Sequence, residues 1–216
     1  MPIYNDIKTI FVHIPKNGGS TATTLLKRDR FWGRKSRQID PRGEGRETLS
    51  EFLEVLGGDA VDYFSFSFVR NPWDRFVSAY HYICQRRPQI ESVTSHKSFE
   101  DFVDVFGKHP ERFLKIRYFQ PQWEFLEVEK SDKPISFLGR FENYDEDFSA
   151  VLKEIGLDRK FFRHRKKTRR SDYREYFNTN SKSMIAEVYS RDIEQFSYNF
   201  DSGQKRKRAS FLKATL

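Results

Sequence analysis

Apolar positions follow two different spacings along this chain. The short runs Ile10–Ile14, Tyr63–Val69 and Ile135–Arg140 are apolar or alternate with small polar residues, which predicts strands. Between such runs, apolar side chains recur at i, i+3, i+4 and i+7, as they do from Leu49 to Leu56, which predicts amphipathic helices. Because strand and helix patterns alternate, we expect an α/β fold with a mostly parallel sheet flanked by helices.

Glycine and proline residues divide the rest of the chain into helices and loops. Further helices are predicted over residues 23–27, 76–84, 99–106, 148–155 and 184–193, and Gly107 and Gly156 are expected to end two of them. Residues 33–47 and 85–97 are polar and contain glycine or proline, which is typical of surface loops. We predict one domain over residues 1–203, followed by a basic, flexible tail over 204–216.

Composition and charge narrow the class of ligand. The 216 residues carry 39 Lys and Arg against 31 Asp and Glu, a net charge of +8, so anionic ligands are expected. The 22 phenylalanines predict an aromatic core. The single Cys84 excludes an internal disulfide and is expected to be a buried thiol. No apolar run reaches the ~20 residues of a membrane span, and the N-terminus has no signal-peptide pattern, so a cytoplasmic enzyme is expected.

The first candidate site is the segment Pro15–Thr21, which follows a predicted strand and leads into a helix. Its glycines, Gly18 and Gly19, let the backbone adopt positive φ and come close to an anion. Unpaired N–H groups and the positive end of the helix dipole then hold negative charge. The segment therefore predicts a phosphate-binding turn.

The second candidate site is the segment Arg70–Ser78, which also joins a predicted strand to a helix. Arg70 comes directly at the end of that strand, where α/β proteins bind their ligands. Together the two segments predict that the chain holds one anion at two places.

Both segments resemble signatures of the sulfotransferases that use 3′-phosphoadenosine 5′-phosphosulfate (PAPS) as donor. The resemblance is to the polysaccharide-type branch, the heparan- and chondroitin-like enzymes, and its small bacterial relatives. It continues through Phe119–Gln122 and Phe137–Asn143 and ends near Tyr173–Tyr176. It implies a P-loop-like sulfotransferase fold, PAPS as the donor, adenosine 3′,5′-bisphosphate as a product, and an acceptor hydroxyl expected to belong to a saccharide.

The resemblance also assigns residues to the donor. Arg70 and Ser78 would hold the 3′-phosphate, and the 5′-phosphosulfate would lie on the turn residues Lys16, Asn17, Gly18, Gly19, Ser20 and Thr21. Sulfuryl transfer is similar to phosphoryl transfer, in which the protein positions the groups and stabilises charge. Lys16 would stabilise the charge on the leaving oxygen, and backbone N–H groups from Gly18 to Thr21 would hold the other oxygens. Because the leaving group is a stable phosphate, no bound metal is expected.

The general base is the point where the chain departs from this family. Relatives commonly place a histidine, or in other branches a glutamate, between the two signatures, and this chain has no histidine between Ser20 and Arg70. Glu47 and Glu44, in the glycine-containing loop, are the candidate bases. A disrupted base site, with weak or absent activity, stays open as an alternative.

A basic run near the C-terminus gives the last candidates. The family closes over the nucleotide with a Lys-Ser/Thr-x-Arg segment, and Lys167, Thr168 and Arg170 match that pattern. Read alone, the same run favours a nucleic-acid patch or a solvated face. The surplus cations also suit an anionic acceptor.

Other functions remain as alternatives. A small molecule and a peptide tyrosine are the alternatives to a saccharide as the acceptor. A P-loop kinase is less well matched, because Walker A places its lysine after the glycines and Lys16 precedes them. A nucleic-acid-binding module fits the charge and leaves the two strand-end segments unexplained. The sequence specifies neither the acceptor nor the oligomeric state.

Overall fold

The computed structural model describes residues 3–27, 38–39, 48–126, 133–157 and 170–201. The chain forms two compact units. The first comprises Met1–Val69, Gln122–Lys166 and Arg206–Leu216, and the second comprises Arg70–Pro121 and Lys167–Lys205. The first unit contains the sheet, and the described residues of the second are helical or irregular.

Strands and helices alternate in the first half of the chain, and helices dominate the second. The strands are β1 (Ile3–Tyr4), β2 (Thr9–Val12), β3 (Gln38–Ile39), β4 (Phe64–Val69) and β5 (Phe137–Arg140). The described α-helices are α1 (Gly19–Lys27), α2 (Leu49–Leu56), α3 (Pro72–Arg86), α4 (Glu91–Thr94), α5 (Phe99–Lys108), α6 (Pro110–Phe113), α7 (Gln122–Leu126), α8 (Tyr144–Glu154), α9 (Thr179–Val188) and α10 (Ser190–Gln195). Short 3-10 helices cover Asn5–Ile7, Gly57–Asp62, Phe141–Asn143 and Tyr173–Tyr176.

The sheet of the first unit has the strand order β3-β1-β2-β4-β5. The longer strands pair in parallel, with Val12 of β2 opposite Ser67 of β4 and Val69 of β4 opposite Arg140 of β5. The two-residue strand β1 pairs antiparallel with both β2 and β3. The predicted α/β class, with parallel pairing among the main strands and flanking helices, is confirmed. The short antiparallel strands β1 and β3 were not predicted.

Both faces of β4 are buried, and its alternation of Phe and Ser shows how. Phe66 and Phe68 enter an aromatic cluster with Phe148 of α8, whose ring centroid lies 6.3 and 5.9 Å from theirs. On the opposite face, the hydroxyl of Ser67 donates to the Val12 carbonyl at 2.7 Å. A buried hydroxyl that is hydrogen-bonded avoids its desolvation cost, so β4 tolerates serine inside the sheet.

The second unit also has an aromatic core. Phe76 of α3 lies with its ring centroid 4.8 to 5.7 Å from those of Phe102, Phe106 and Phe119. Tyr189, beside α10, donates its hydroxyl to the Phe119 carbonyl at 2.6 Å. The prediction of an aromatic core is confirmed in both units.

Several predicted elements are confirmed with their ends. The helix over Leu49–Leu56 begins with a capping box formed by Thr48 and Glu51. Gly156 follows α8 with a φ of 74°, the left-handed conformation that favours glycine after a helix.

Other predictions were wrong. Gly107 lies inside α5 rather than after it, packed against Met184 of α9. The predicted last helix is two helices, α9 and α10. The predicted loops 33–47 and 85–97 contain β3 and α4, respectively. Cys84 is exposed rather than buried.

The domain prediction is not decided by these units, and the predicted tail lies outside the described residues. Among the helices that the structure describes, none has the length and apolar composition of a membrane span.

Candidate active site

The turn between β2 and α1 contains two left-handed residues followed by a helix start. Lys16 has a φ of 73° and Gly18 a φ of 85°, and α1 begins at Gly19. Such a φ costs a residue with a side chain roughly 1–2 kcal/mol, so the fold holds Lys16 under strain, as is frequent at functional sites. First-turn N–H groups lack carbonyl partners within their helix, and left-handed turns gather such groups into anion-binding concavities.

One of the predicted backbone donors is used inside the turn. The N–H of Thr21 donates to the Gly18 carbonyl at 2.9 Å. The hydroxyl of Thr24 donates to the Ser20 carbonyl at 2.8 Å, which fixes the first turn of α1. The set of backbone donors expected to contact an anion therefore narrows to Gly18, Gly19 and Ser20.

Asn17 anchors the turn to the sheet. Its side chain is buried, and its amide nitrogen donates to the Phe68 carbonyl at 2.7 Å and to Oε1 of Gln122 at 2.8 Å. Both amide hydrogens are thus used by the protein. The side chain of Asn17 therefore positions the turn on β4 and α7, and its Nδ2 has no hydrogen left for a ligand.

Two aromatic rings lie where Cβ atoms would be if the glycines were replaced. A Cβ on Gly18 would lie 2.4 Å from Cε2 of Tyr144, and a Cβ on Gly19 would lie 1.9 Å from Cδ2 of His13. The hydroxyl of Tyr144 also donates to the Gly18 carbonyl at 3.0 Å, and burial raises the pKa of Tyr144. Close packing requires glycine at both positions, and at Gly18 the positive φ requires it as well.

The second unit contains a largely buried cluster of two arginines and one aspartate. Nε of Arg70 donates to Oδ2 of Asp74 at 2.8 Å, and Arg170 donates to Oδ1 of the same carboxylate. The three side chains are 8%, 15% and 11% exposed for Arg70, Asp74 and Arg170. Burial alone would raise the pKa of Asp74, but the charges and hydrogen bonds of the two arginines hold it below its ordinary value. The cluster has a net positive charge.

The capped start of α3 sets the positions of Arg70 and Asp74. Oδ1 of Asn71 accepts hydrogen bonds from the N–H groups of Trp73 and Asp74 at 3.1 and 3.4 Å, and Pro72 occupies the first helical position. Nδ2 of Asn71 donates to the Asn199 carbonyl at 2.9 Å. This N-cap places Arg70 just before the helix and Asp74 in its first turn.

Ser78 lies one turn beyond Asp74 on α3 and is 3% exposed. Residues four apart share a helix face, so Ser78 and Asp74 lie on the same side of α3. Arg75, on the same helix, donates from its Nη1 to the Gln120 carbonyl at 2.9 Å.

Four predicted site residues lie outside the described residues. These are Glu44, Glu47, Lys167 and Thr168. Of the acids between the two signatures that the structure describes, Glu51 caps α2 and Asp62 pairs with Lys8. Within the described part of the chain, no group of three or more His, Cys, Asp or Glu side chains is arranged to hold a metal ion.

Three positioning residues were missed from the sequence. Asp74 carried a usable signal, since it follows Arg70 by four residues inside the second signature and oppositely charged side chains at this spacing pair. Gln122 of α7 contacts Asn17, and Tyr144 of α8 contacts Gly18. No local sequence pattern predicts contacts between residues so far apart in the chain.

Comparison with known proteins agrees with these features. The sequence model of the Sulfotransferase family matches residues 3–199. The chain belongs to this family. It is also similar to carbohydrate sulfotransferase 10 of Rattus norvegicus, with 25% identity over 143 residues that cover 55% of this chain. The match spans 40% of the rat enzyme's length. No solved structure matches the chain. The resemblance to this family that the two signatures indicated is therefore confirmed.

Proposed function

We propose that this sulfotransferase moves a sulfuryl group from PAPS to a hydroxyl group of a saccharide. The observation that carries the proposal is the turn in which strained Lys16 precedes Gly18, Gly19 and the start of α1. This arrangement suits an anion with several oxygens, because backbone N–H groups and the helix dipole act on the same point.

Lys16 and the turn would act on the 5′-phosphosulfate end of the donor. PAPS supplies the sulfuryl group and a phosphate leaving group. Nζ of Lys16 would stabilise the charge that develops on the bridging oxygen as its bond to sulfur breaks. The N–H groups of Gly18, Gly19 and Ser20, and the hydroxyls of Ser20 and Thr21, would hold the other oxygens.

The arginine cluster would bind the 3′-phosphate. Arg70 and Arg170 share the carboxylate of Asp74, so both guanidinium groups are held in place before a ligand arrives. Preorganised cations lose little entropy on binding, and arginine suits phosphate because its donors form a planar fork. Ser78 would add a hydroxyl from the same face of α3, and Lys167 and Thr168 are proposed to complete the nucleotide site.

The acceptor step requires a base. The hydroxyl oxygen of the acceptor forms a bond to sulfur, the bond between sulfur and the bridging oxygen breaks, and the hydroxyl proton passes to the base. Glu47 and Glu44 remain the proposed bases. A saccharide acceptor is supported by the rat relative, whose name specifies a carbohydrate sulfotransferase. Location in the cytoplasm stays a prediction.

A transfer assay tests this proposal. The protein is incubated with PAPS and, in separate reactions, with neutral oligosaccharides, uronic-acid oligosaccharides, phenols and a tyrosine peptide, and products are identified by mass spectrometry. Sulfated saccharide that is absent with the variant Lys16→Ala supports the proposal. Transfer only to phenols or tyrosine would contradict the saccharide part, and release of bisphosphate without any transfer would contradict the acceptor part as a whole.

A further inference from the structure

One half-buried histidine in the second unit lies next to the arginine cluster, and no role has been assigned to it above. His81 is on α3, three residues after Ser78 and seven after Asp74, so the three side chains lie along one face of the helix. Its Nε2 is buried and has no hydrogen-bond partner in the described part of the chain. Buried polar atoms are normally satisfied, and an exception calls for an explanation such as a ligand.

Aromatic contacts hold the ring in place. The ring of Tyr176 lies edge-on to it with a centroid distance of 5.0 Å, and the ring of Tyr80 lies edge-on at 5.4 Å. Tyr176 belongs to the segment that begins with Arg170, so one segment contributes both a ring against His81 and a guanidinium to the cluster. The imidazole is therefore positioned by the same two elements that hold the arginines.

The surroundings favour a neutral imidazole when no ligand is bound. Burial lowers the pKa of His81, and the positive charge of Arg170 lowers it further. Among the described residues, the charged and titratable groups near the ring are Tyr80 on α3, and Arg170 and Tyr176 on the facing segment. None of these is an anion at neutral pH, and the carboxylate of the neighbouring cluster, Asp74, is already paired with Arg70 and Arg170, so nothing in this group favours imidazolium. An arriving phosphate dianion would reverse that balance, because an opposite charge close by favours the protonated ring.

We propose that Nε2 of His81 binds the 3′-phosphate of the nucleotide as imidazolium, so that each binding event takes up one proton from solution. The inference rests on the proposed function, since it assumes that the 3′-phosphate lies on the cluster of Arg70, Ser78 and Arg170. His81 then distinguishes nucleotides that carry a 3′-phosphate from those that do not. It also makes the affinity fall as pH rises.

The test is calorimetric titration with adenosine 3′,5′-bisphosphate at about pH 7.5 in several buffers that differ in ionisation enthalpy. A phosphate monoester has a second pKa of about 6, so it is already dianionic there and adds no uptake of its own. The slope of observed enthalpy against buffer ionisation enthalpy gives the number of protons. We expect an uptake approaching about one proton for the wild type, and a Kd that rises up to about tenfold per pH unit above this pH.

Two variants identify the residue that takes up the proton. His81→Gln keeps a neutral amide near the position of Nε2, so it should bind the bisphosphate more weakly with no proton uptake. His109→Gln changes a histidine that is 54% exposed and should match the wild type. Adenosine 5′-phosphate, which lacks the 3′-phosphate, should bind only weakly and without proton uptake.

Three results would overturn the inference. Tight, 3′-phosphate-dependent binding with no proton uptake by the wild type would reject His81 as a ligand and leave the proposed function intact. Equal proton uptake by His81→Gln and by the wild type would also reject His81 as a ligand and leave the proposed function intact. Failure of the bisphosphate to bind at all would reject both the inference and the proposed function.

Discussion

Asp74 holds two largely buried arginines, and the variant Asp74→Asn should therefore be markedly less stable. Asparagine offers one side-chain oxygen where the carboxylate offers two, so one of the two hydrogen bonds, to Arg70 or to Arg170, is lost. A hydrogen bond to a charged group contributes about 1.5–3 kcal/mol. Removal of one partner from a buried ion pair costs about 3–5 kcal/mol, because the remaining charge is left uncompensated.

Partial exposure places the expected loss at the lower end of that range. Because Asp74 keeps 15% exposure, water partly compensates the two arginines, and we expect a loss of about 3 kcal/mol at pH 7. With a urea dependence of about 2 kcal/mol per molar, the unfolding midpoint would fall by roughly 1.5 M. Urea unfolding followed by circular dichroism measures this shift.

The pH dependence provides a second readout. The pKa of Asp74 is lower in the folded protein than its unfolded value of about 3.9. The ionised carboxylate therefore contributes its full stabilisation above the unfolded pKa, and this contribution is lost as pH falls through the folded pKa. The difference between the wild type and Asp74→Asn should thus be largest at neutral pH and shrink below about pH 4.

A matched control makes the same chemical change at an exposed acid. Asp59→Asn, in the 3-10 helix Gly57–Asp62, should leave the free energy of unfolding within about 0.5 kcal/mol of the wild-type value. Equal stability of Asp74→Asn and the wild type at pH 7 would refute the reasoning, and so would a stability difference that stays constant into acid.

Three further predictions concern the two signatures. Lys16→Ala should lower kcat about 10²–10³-fold, the usual effect of removing one transition-state donor. Its affinity for adenosine 3′,5′-bisphosphate, measured by calorimetry, should be nearly unchanged. A loss of affinity in proportion to the loss of kcat would argue against a role in the transition state. Gly19→Ala should lower the free energy of unfolding by about 1–3 kcal/mol, because its Cβ would lie 1.9 Å from His13. Thermal melting measures this loss, with Gly58→Ala as the control, since a Cβ at Gly58 would meet open space. Equal melting temperatures of the two variants would contradict the close packing at Gly19. Arg70→Ala should weaken binding of the bisphosphate about 10–100-fold, the equivalent of one charged hydrogen bond. The affinity for adenosine 5′-phosphate should not change. An unchanged affinity for the bisphosphate would contradict the assignment of Arg70 to the 3′-phosphate site.

Local patterns predicted the main elements of the fold. The apolar spacing from Leu49 to Leu56 gave α2 with both ends, since hydrophobic periodicity and the glycines after it agree. The spacing did not give β1 or β3, because two-residue strands have no period to detect. Gly107 was misread as a helix end, since its role is to let Met184 approach α5, a contact between residues far apart in sequence.

The candidate site was predicted where its signal is local. The turn at Lys16 and the capped start of α3 follow from short motifs whose backbone chemistry is contained within a few residues. The supports of these motifs are not local. Asn17 reaches Gln122 across 105 positions, and Tyr144 reaches Gly18 across 126. A single sequence does not specify such pairs, because many residues could fill the same space.

PAPS as the donor is tested most directly by calorimetric titration with adenosine 3′,5′-bisphosphate, beside ATP and adenosine 5′-phosphate, without magnesium. We expect tight binding of the bisphosphate and little binding of the other two nucleotides, because the arginine cluster of the second unit would bind the 3′-phosphate. Equal binding of all three would contradict PAPS as the donor and favour the kinase or nucleic-acid alternatives.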